Sequence, residues 1–477
     1  MGRPTSLGEL KAAGWVSRPV KEEIRANAAV RIASGDRLVD GVLGYDDTVL
    51  PQVENALLAG HDVILLGERG QAKTRMIRSL TGLLDEWMPV VAGSEINDDP
   101  YAPVSSHARR LVAEQGDDTP IDWVHRDHRF GEKLATPDTS IADLIGEVDP
   151  IKVAEGRYLS DELTIHYGLV PRTNRGVFSI NELPDLAERI QVGLLNVLEE
   201  RDVQIRGYKV HLPLDLMLVA SANPEDYTNR GRIITPLKDR FGAQIRTHYP
   251  LDAEVETAVI NAETAAPGVD GVTVTVPDFM TAVVAEISQL ARRSPHINQR
   301  SGVSVRLSIT NRETLVANAL RRALRSGERE VVPRISDLDA LVASTAGKLE
   351  FETVEEGRDE QVLDRIMKGA VLETFRVRVD PTLLPGVVSA FDEGLVVHTG
   401  DDVPSEEYLE LLTGHAELGE VLRSLDAGES PAQVAAAVEF VLEGLHLSKR
   451  LNKDAVGGRA VYRGRPRPDP QPGGDHP

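Results

Sequence analysis

One stretch of this chain restricts its possible folds more than any other: Val63-Ile64-Leu65-Leu66-Gly67-Glu68-Arg69-Gly70-Gln71-Ala72-Lys73-Thr74. An apolar run ends in a glycine-containing turn, and Lys73-Thr74 open a helical pattern. This is the strand–loop–helix setting of a phosphate-binding P-loop. Successive backbone N–H groups of Gly67, Glu68, Arg69, Gly70, Gln71 and Ala72 would line the cradle and hold phosphate oxygens. Lys73 would reach the outer phosphates, and the Thr74 hydroxyl would ligate Mg²⁺. The pattern asks for glycine directly before the lysine, and this chain has Ala72. Alanine lacks the freedom of glycine at positive φ, but it fits if that residue is helical. The competing reading is an ordinary strand-to-helix turn. The Gly67/Gly70/Lys73/Thr74 spacing and the flanking patterns favour the P-loop.

Two further apolar runs end in polar residues, as buried parallel strands do when they deliver side chains to a site at their C-terminal edge. One is Arg175-Gly176-Val177-Phe178-Ser179-Ile180-Asn181-Glu182, and the other is Leu214-Asp215-Leu216-Met217-Leu218-Val219-Ala220-Ser221-Ala222-Asn223-Pro224. Helical patterns cover 20–32, 50–60 (closed by Gly60), 75–87 and 190–201. Residues 203–212 alternate like a hairpin, and 241–249 like another strand. Strands alternating with helices predict an α/β fold with a parallel sheet. After residue 251 the patterns become helical, over 253–265, 277–293, 311–326, 335–346 and 359–377, with two more helices at 405–427 and 431–451. The expected organisation is an N-terminal helical extension (1–40), an α/β P-loop core (41–250), a helical domain (251–378), a C-terminal helical extension (379–453) and a disordered Gly-, Pro- and Arg-rich tail (454–477). Residues 88–130 read as irregular, with the turn-rich acidic patch Gly93-Ser94-Glu95-Ile96-Asn97-Asp98-Asp99-Pro100. His107, His125 and His128 fall there, interleaved with Arg126 and Arg129, which favours a solvated loop over a metal site.

At 477 residues the length suggests roughly three domains. The balance of 53 Lys+Arg against 75 Asp+Glu, a formal net charge of -22, opposes a protein that coats nucleic acid by neutralising phosphates. Cysteine is absent, so disulfides and Cys-ligated metals are excluded. No secretory segment or bilayer-length apolar run is visible, and Gly2 with Ser6 fits a myristoylation pattern only loosely, so a soluble cytoplasmic protein without membrane association is expected.

The P-loop, the strands at 177–182 and 214–223, and Leu237-Lys238-Asp239-Arg240-Phe241-Gly242 occur in the order of an AAA+ ATPase. The chain resembles the clade of MoxR-type ATPases and the ATPase (I) subunit of magnesium chelatase. Three details carry that narrower likeness: Asp143-Leu144-Ile145-Gly146, the approach over 158–170 to Arg175-Gly176-Val177-Phe178, and Ser221-Ala222-Asn223-Pro224-Glu225-Asp226. The likeness spans roughly residues 41–346, and alanine at the second P-loop glycine recurs in related groups such as MCM helicases. It implies ATP and Mg²⁺ as cofactors and gives each residue a role. Glu182 matches the Walker B glutamate that activates water. Asn181 stands where the family has a metal-holding aspartate; asparagine keeps an acceptor oxygen but loses the charge, which implies retained Mg-ATP binding and slower hydrolysis. Asn223 matches sensor 1, Arg240 the arginine finger, and Arg312 sensor 2, with Arg306 as its competitor. Val42, Leu43 and Gly44 match the segment lining the adenine pocket, or serve plain core packing. An arginine finger acting in trans requires a ring, and the resemblance implies a hexamer. The hairpin at 203–212, with Arg206-Gly207-Tyr208-Lys209 at its tip, resembles insertions that face a ring pore or a partner, and equally fits a plain hairpin.

The leading expectation is an ATP hydrolase that remodels or activates a separate partner protein, which in this clade usually carries a von Willebrand A domain; the metal-site motif of such a domain is missing from this chain. The alternatives are the motor subunit of a magnesium chelatase and a weakly hydrolysing nucleotide-dependent scaffold, the latter motivated by Ala72 and Asn181. A DNA-directed motor is opposed by the net charge. A sigma-54-type activator is opposed by the missing Gly-Ala-Phe-Thr-Gly-Ala loop.

Overall fold

Short apolar runs separated by amphipathic helices pair into a parallel sheet, as their composition predicts. A computed structural model describes residues 2–148, 165–199, 203–205, 208–210, 212–223, 231–265, 267–299, 301–352, 358–456 and 459–465. Contacts divide the chain into two units, Met1–His248 and Tyr249–Pro477. Among the described residues no helix is long and apolar enough to cross a membrane.

The strands of the first unit are β1 (Val63–Leu66), β2 (Trp87–Val91), β3 (Ile121–His125), β4 (Phe130–Leu134), β5 (Gly146–Val148), β6 (Ile165–Tyr167), β7 (Gly176–Asn181), β8 (Val203–Ile205), β9 (Tyr208–Val210), β10 (Leu216–Ala222) and β11 (Ala243–Arg246). The central sheet runs β11-β1-β10-β7-β4, and every pairing in it is parallel. Taking these five in chain order, the arrangement is 5-1-4-3-2. The chain leaves β1 for the far edge, returns through β7 and β10, and then passes β1 to reach β11. Such a reversal opens a crevice at the carboxyl ends of β1 and β10. Alternating strand residues feed two cores, as a period of two requires. Ile64, Phe178, Ile180, Leu218 and Ala220 join one. Val63, Leu65, Val177, Met217, Val219 and Ile245 join the other, with Val20, Ile24 and Ala28 of the helix Val20–Ser34.

Residues 88–130 are not an irregular solvated loop. β2 pairs antiparallel with β3, and a helix spans Ser106–Gln115. Asp98 is fully buried and organises the connection: Oδ1 accepts from the N–H groups of Val104 (2.6 Å) and Ser105 (2.8 Å), and Oδ2 from the hydroxyls of Ser94 (2.7 Å) and Ser105 (2.6 Å). Arg129 is buried and makes a two-pronged ion pair with Glu23, at 2.7 and 2.6 Å. His107 sits 3.2 Å from the Ala92 carbonyl, and the His125 ring lies 3.1 Å from Asp127. The helix expected at 75–87 is shorter: it covers Lys73–Ser79, tightens into a 3₁₀ turn over Leu80–Leu83, and gives way to β2 at Trp87.

The second unit gathers the expected helical domain and C-terminal extension into one core. Helices Ala253–Glu263, Asp278–Arg293, Arg306–Ser326 and Arg358–Arg378 contribute to it together with Pro431–Leu447, which is apolar almost all round and buried accordingly. Phe440 stacks on Phe279 at 4.7 Å and meets Phe375 edge-on at 6.0 Å. The helix expected at 405–427 divides into Ser405–Gly414 and Ala416–Ser424. Disorder is expected over 454–477, of which residues 457–458 and 466–477 lie outside the described residues. After a short parallel pair, β12 (Thr273–Val274) with β13 (Glu330–Val331), the described residues end differently: β15 (Asn452–Val456) and β16 (Arg459–Arg463) pair antiparallel, and β16 also pairs with β14 (Val396–Gly400). Ala460 and Tyr462 alternate inward from β16, so this short run has a buried face despite its arginines.

Candidate functional site

The loop after β1 is built for close approach. Gly67 N–H donates to the Ala222 carbonyl at 3.1 Å, tying the loop to the end of β10. A Cβ on Gly67 would lie 1.9 Å from Thr247 Oγ1 and 2.2 Å from Gln71 Oε1, so only glycine fits. Gln71 is buried and braces the loop from within: its Oε1 accepts from Thr247 Oγ1 (2.6 Å) and from Glu68 N–H (3.1 Å). The Tyr45 hydroxyl lies 3.0 Å from the Gln71 carbonyl and 2.7 Å from that of His248. Burial pushes the Tyr45 phenol up to about 12, so it stays a donor.

Gly70 and Ala72 both take left-handed backbone, with φ 77° and 56°. The helical geometry in which alanine would fit without strain is not adopted: the position keeps the conformation for which glycine is the usual residue, and alanine bears the strain. The helix begins at Lys73, whose side chain is buried and folded back so that Nζ donates to the carbonyls of Gly67 and Glu68, the latter at 2.7 Å. Thr74 follows it, half-buried, and Arg69 is exposed.

β7 and β10 bring the other candidates to the same edge. β10 lies beside β1 with Leu66 opposite Ala222, and β7 lies beside β10 with Ile180 opposite Ala220. Adjacent strands are about 4.8 Å apart, so Glu182 stands roughly 10 Å from the P-loop backbone, a gap a phosphate chain and two side chains can fill. Glu182 also has left-handed backbone, with φ 54°, and its N–H donates to Ser221 Oγ at 3.2 Å. That hydroxyl in turn donates to Asn181 Oδ1 at 3.3 Å. The Asn181 amide Nδ2 donates to Glu132 Oε1 on β4, whose Oε2 receives Arg78 Nε at 2.9 Å. Asn223 is buried directly after β10.

Val42, Leu43 and Gly44 follow the turn at Asp40 and Gly41 in irregular backbone, with Val42 in the core and Gly44 at φ 78°. Arg75 donates to the Gly41 carbonyl at 2.8 Å, joining this turn to the P-loop helix. Arg240 ends the helix Thr235–Arg240 and is exposed. In the second unit, the helix expected to open at Arg312 opens instead at Arg306, leaving Arg306 exposed at its first position and Arg312 within it. Burial holds the Arg312 guanidinium below its ordinary pKa, and its Nε makes no hydrogen bond among the described residues. Pro224, Glu225, Asp226, most of 158–170 and the tip residues Arg206 and Gly207 lie outside the described residues. Sequence reasoning passed over Tyr45, Thr247, Ser221, Glu132 and Arg78. The signal available for three of them was a polar residue at or near the end of a strand otherwise apolar or alternating.

A model of the Sigma-54 interaction domain family matches residues 155–240, a stretch holding β7, β10 and Arg240. The chloroplast magnesium-chelatase subunit ChlI-1 of Arabidopsis thaliana is 27% identical over 285 residues, covering 54% of this chain and 64% of its own length. The magnesium-chelatase 38 kDa subunit of Rhodobacter capsulatus is 28% identical over 232 residues, covering 46% and 58%. The chain thus spans less than two thirds of these relatives. Among solved structures, a cryo-EM-based model of the complex between subunits BchI and BchD of magnesium chelatase aligns at 20% identity over 68% of this chain and 98% of that chain, with a TM-score of 0.33. Motif order, sheet order and these sequence matches make the chain a relative of the magnesium-chelatase I subunits within the AAA+ superfamily.

Proposed function

We propose that this protein is an AAA+ motor that binds Mg-ATP and uses its hydrolysis, within a ring of identical subunits, to remodel or activate a separate partner protein. The observation that carries this reading is the buried Lys73 ammonium resting on the Gly67 and Glu68 carbonyls of a glycine-dependent loop. An ammonium held over this main-chain cradle, at the start of a helix, stands where the outer phosphate oxygens of ATP bind. The donor set also suits magnesium: the Thr74 hydroxyl and the Asn181 amide oxygen would hold Mg²⁺, which when bound neutralises charge on the outer phosphates.

The chain's own groups divide the work. The loop N–H groups and Lys73 orient the phosphates. The Glu182 carboxylate accepts a proton from the attacking water, Asn223 fixes that water's position, and the oxygen between the β- and γ-phosphates leaves with the electron pair. Arg240, exposed at a helix end, is suited to enter a neighbouring subunit's site and stabilise charge on the transferred group. Arg312 is the sensor-2 candidate, and Val42, Leu43 and Gly44 line the adenine side. The assembly is a hexamer, and a von Willebrand A protein is the partner class to seek first.

Steady-state ATPase of the full chain tests the reading. Lys73→Ala and Glu182→Gln each lower Mg-dependent turnover by at least about tenfold; undiminished turnover in Glu182→Gln refutes the assignment. Two observations favour a second reading, a slow or silent nucleotide-dependent scaffold: the amide at Asn181 and the strained Ala72. Tight ATP binding without turnover supports it. The names of the relatives favour a chelatase motor, which porphyrin metallation with added partner subunits would reveal. Glu182→Gln loaded with ATP is the form in which to weigh the ring and capture the partner.

A further inference from the structure

The charge missing from Asn181 is present one strand away. Asn181 Nδ2 donates to Glu132 Oε1 on β4. Glu132 is only about one-fifth exposed, and its other oxygen takes the Arg78 guanidinium at 2.8–2.9 Å. Arg78 lies four residues after Thr74 on the helix Lys73–Ser79, so the two share a face and are neighbours along it. Glu132 therefore sits between the two residues assigned to the metal side of the site: it is bonded to Asn181 directly and to the Thr74 face through Arg78. The β4–β7 register holds it there, with Glu132 opposite Ser179 and Leu134 opposite Asn181.

We infer that Glu132 is the positioning residue that supplies the negative charge for magnesium in this protein, acting through Asn181. The carboxylate fixes the amide so that its Nδ2 is engaged and its Oδ1 faces the Ser221 side of the crevice, and it adds the anionic field that an amide lacks. Arg78 tempers that field. This rests on the Mg-ATP reading above.

The test is a magnesium chloride titration of binding of a fluorescent ATP analogue to the full chain, with a parallel measurement in EDTA. Glu132→Gln, which keeps the acceptor and removes the charge, raises the half-saturating magnesium concentration about tenfold and leaves affinity in EDTA unchanged. Adding Asn181→Asp to that variant restores the wild-type value to within about twofold. Asn181→Asp alone, and Arg78→Gln alone, each lower the half-saturating magnesium. Tryptophan emission reports whether each variant is folded, and the two single variants at 181 and 78 carry the test if Glu132→Gln is not. Nucleotide binding with an unshifted magnesium requirement in Glu132→Gln overturns the inference alone. So does an equal loss in Arg78→Gln, because the ion pair rather than the carboxylate's charge would then be responsible. Failure of Asn181→Asp to restore binding also overturns it. Wild-type protein that binds no nucleotide overturns the Mg-ATP reading and this one with it.

Discussion

The buried Glu23–Arg129 pair gives the most quantitative prediction. Arg129 is 1% exposed and Glu23 5%. Both carboxylate oxygens are engaged by the guanidinium, and Oε1 also accepts from Asp85 N–H at 2.6 Å. Arg129 further donates to the Arg175 carbonyl at 2.9 Å. Replacing Glu23 by alanine leaves a guanidinium without its counter-charge, close to a second one: burial holds Arg175 below its ordinary pKa, Asp99 opposes that, and Arg129 adds to it. Breaking a buried pair from one side costs about 3–5 kcal/mol. For a unit of this size each kcal/mol moves the midpoint by about 2–4 °C, so Glu23→Ala should melt roughly 6–20 °C lower. All three tryptophans, Trp15, Trp87 and Trp123, lie in the first unit, so their fluorescence follows this unit selectively. Removing both charges in Glu23→Leu/Arg129→Met should recover part of the loss, because no buried charge is left unpaired, although Asp85 N–H and the Arg175 carbonyl lose their partners. A Glu23→Ala cost below about 1 kcal/mol, or a double variant no better than the single one, would refute the reasoning.

Other outcomes follow from the same geometry. Gly67→Ala drives a methyl into Thr247 and Gln71; it should abolish the rise in melting temperature that Mg-ATP produces, read by tryptophan fluorescence. Ala72→Val places a β-branched residue at φ 56° and should destabilise the first unit by at least about 1 kcal/mol in urea titrations, whereas Ala72→Gly should not. Tyr45 has a folded pKa of about 12 against 10 for a free phenol, so its contribution is intact below pH 10 and fades as pH rises toward 12. Urea titrations at stepped alkaline pH should show a shallower loss in Tyr45→Phe. Gly444→Ala would bring a methyl within 2.1 Å of the Phe375 ring and should cost the second unit about 1–3 kcal/mol, measured by calorimetry.

The strands that bear the site were readable because each is a buried apolar run that ends in polar residues: β1 before Gly67, β7 before Glu182 and β10 before Asn223. Their order in the sheet was not readable from the sequence; only the pairing gives it. Residues 88–130 hid their structure because β2 and β3 are short, β2 carries Pro89, and the segment is tied to distant partners, Arg175 on the Pro89 carbonyl and Glu23 on Arg129. Periodicity cannot report a contact made across a hundred residues. The left-handed backbone at Ala72 is not legible from the residue itself, because local propensity favours a helix there, while the loop's tertiary ties to Ala222 and Thr247 decide otherwise. Glu132 escaped notice because the short, mixed run Phe-Gly-Glu-Lys-Leu gave no strand signal of its own, and its role shows only with Asn181 placed beside it. The hairpin of β15 and β16 was masked by the proline- and glycine-rich residues that follow it.

The helix Pro431–Leu447 gives the second unit a particular mechanical character. Glu439 on that helix takes the Tyr408 hydroxyl at 2.7 Å and the Ser336 N–H at 2.9 Å. Next to Ser336, Asp337 binds Arg322 and Asn318 on the helix that also carries Arg312. Four residues on from Glu439 along Pro431–Leu447, Glu443 accepts from the Tyr462 hydroxyl of β16, so an unbroken chain of contacts runs from the Arg312 helix to the strands that follow. A change at the Arg312 helix thus has a connected path of hydrogen bonds and packed side chains toward β16, as a lever arm has from its pivot to its tip. Cutting the chain at residue 379 would strip Phe440 from Phe279 and Phe375, and so destroy the arm rather than shorten it.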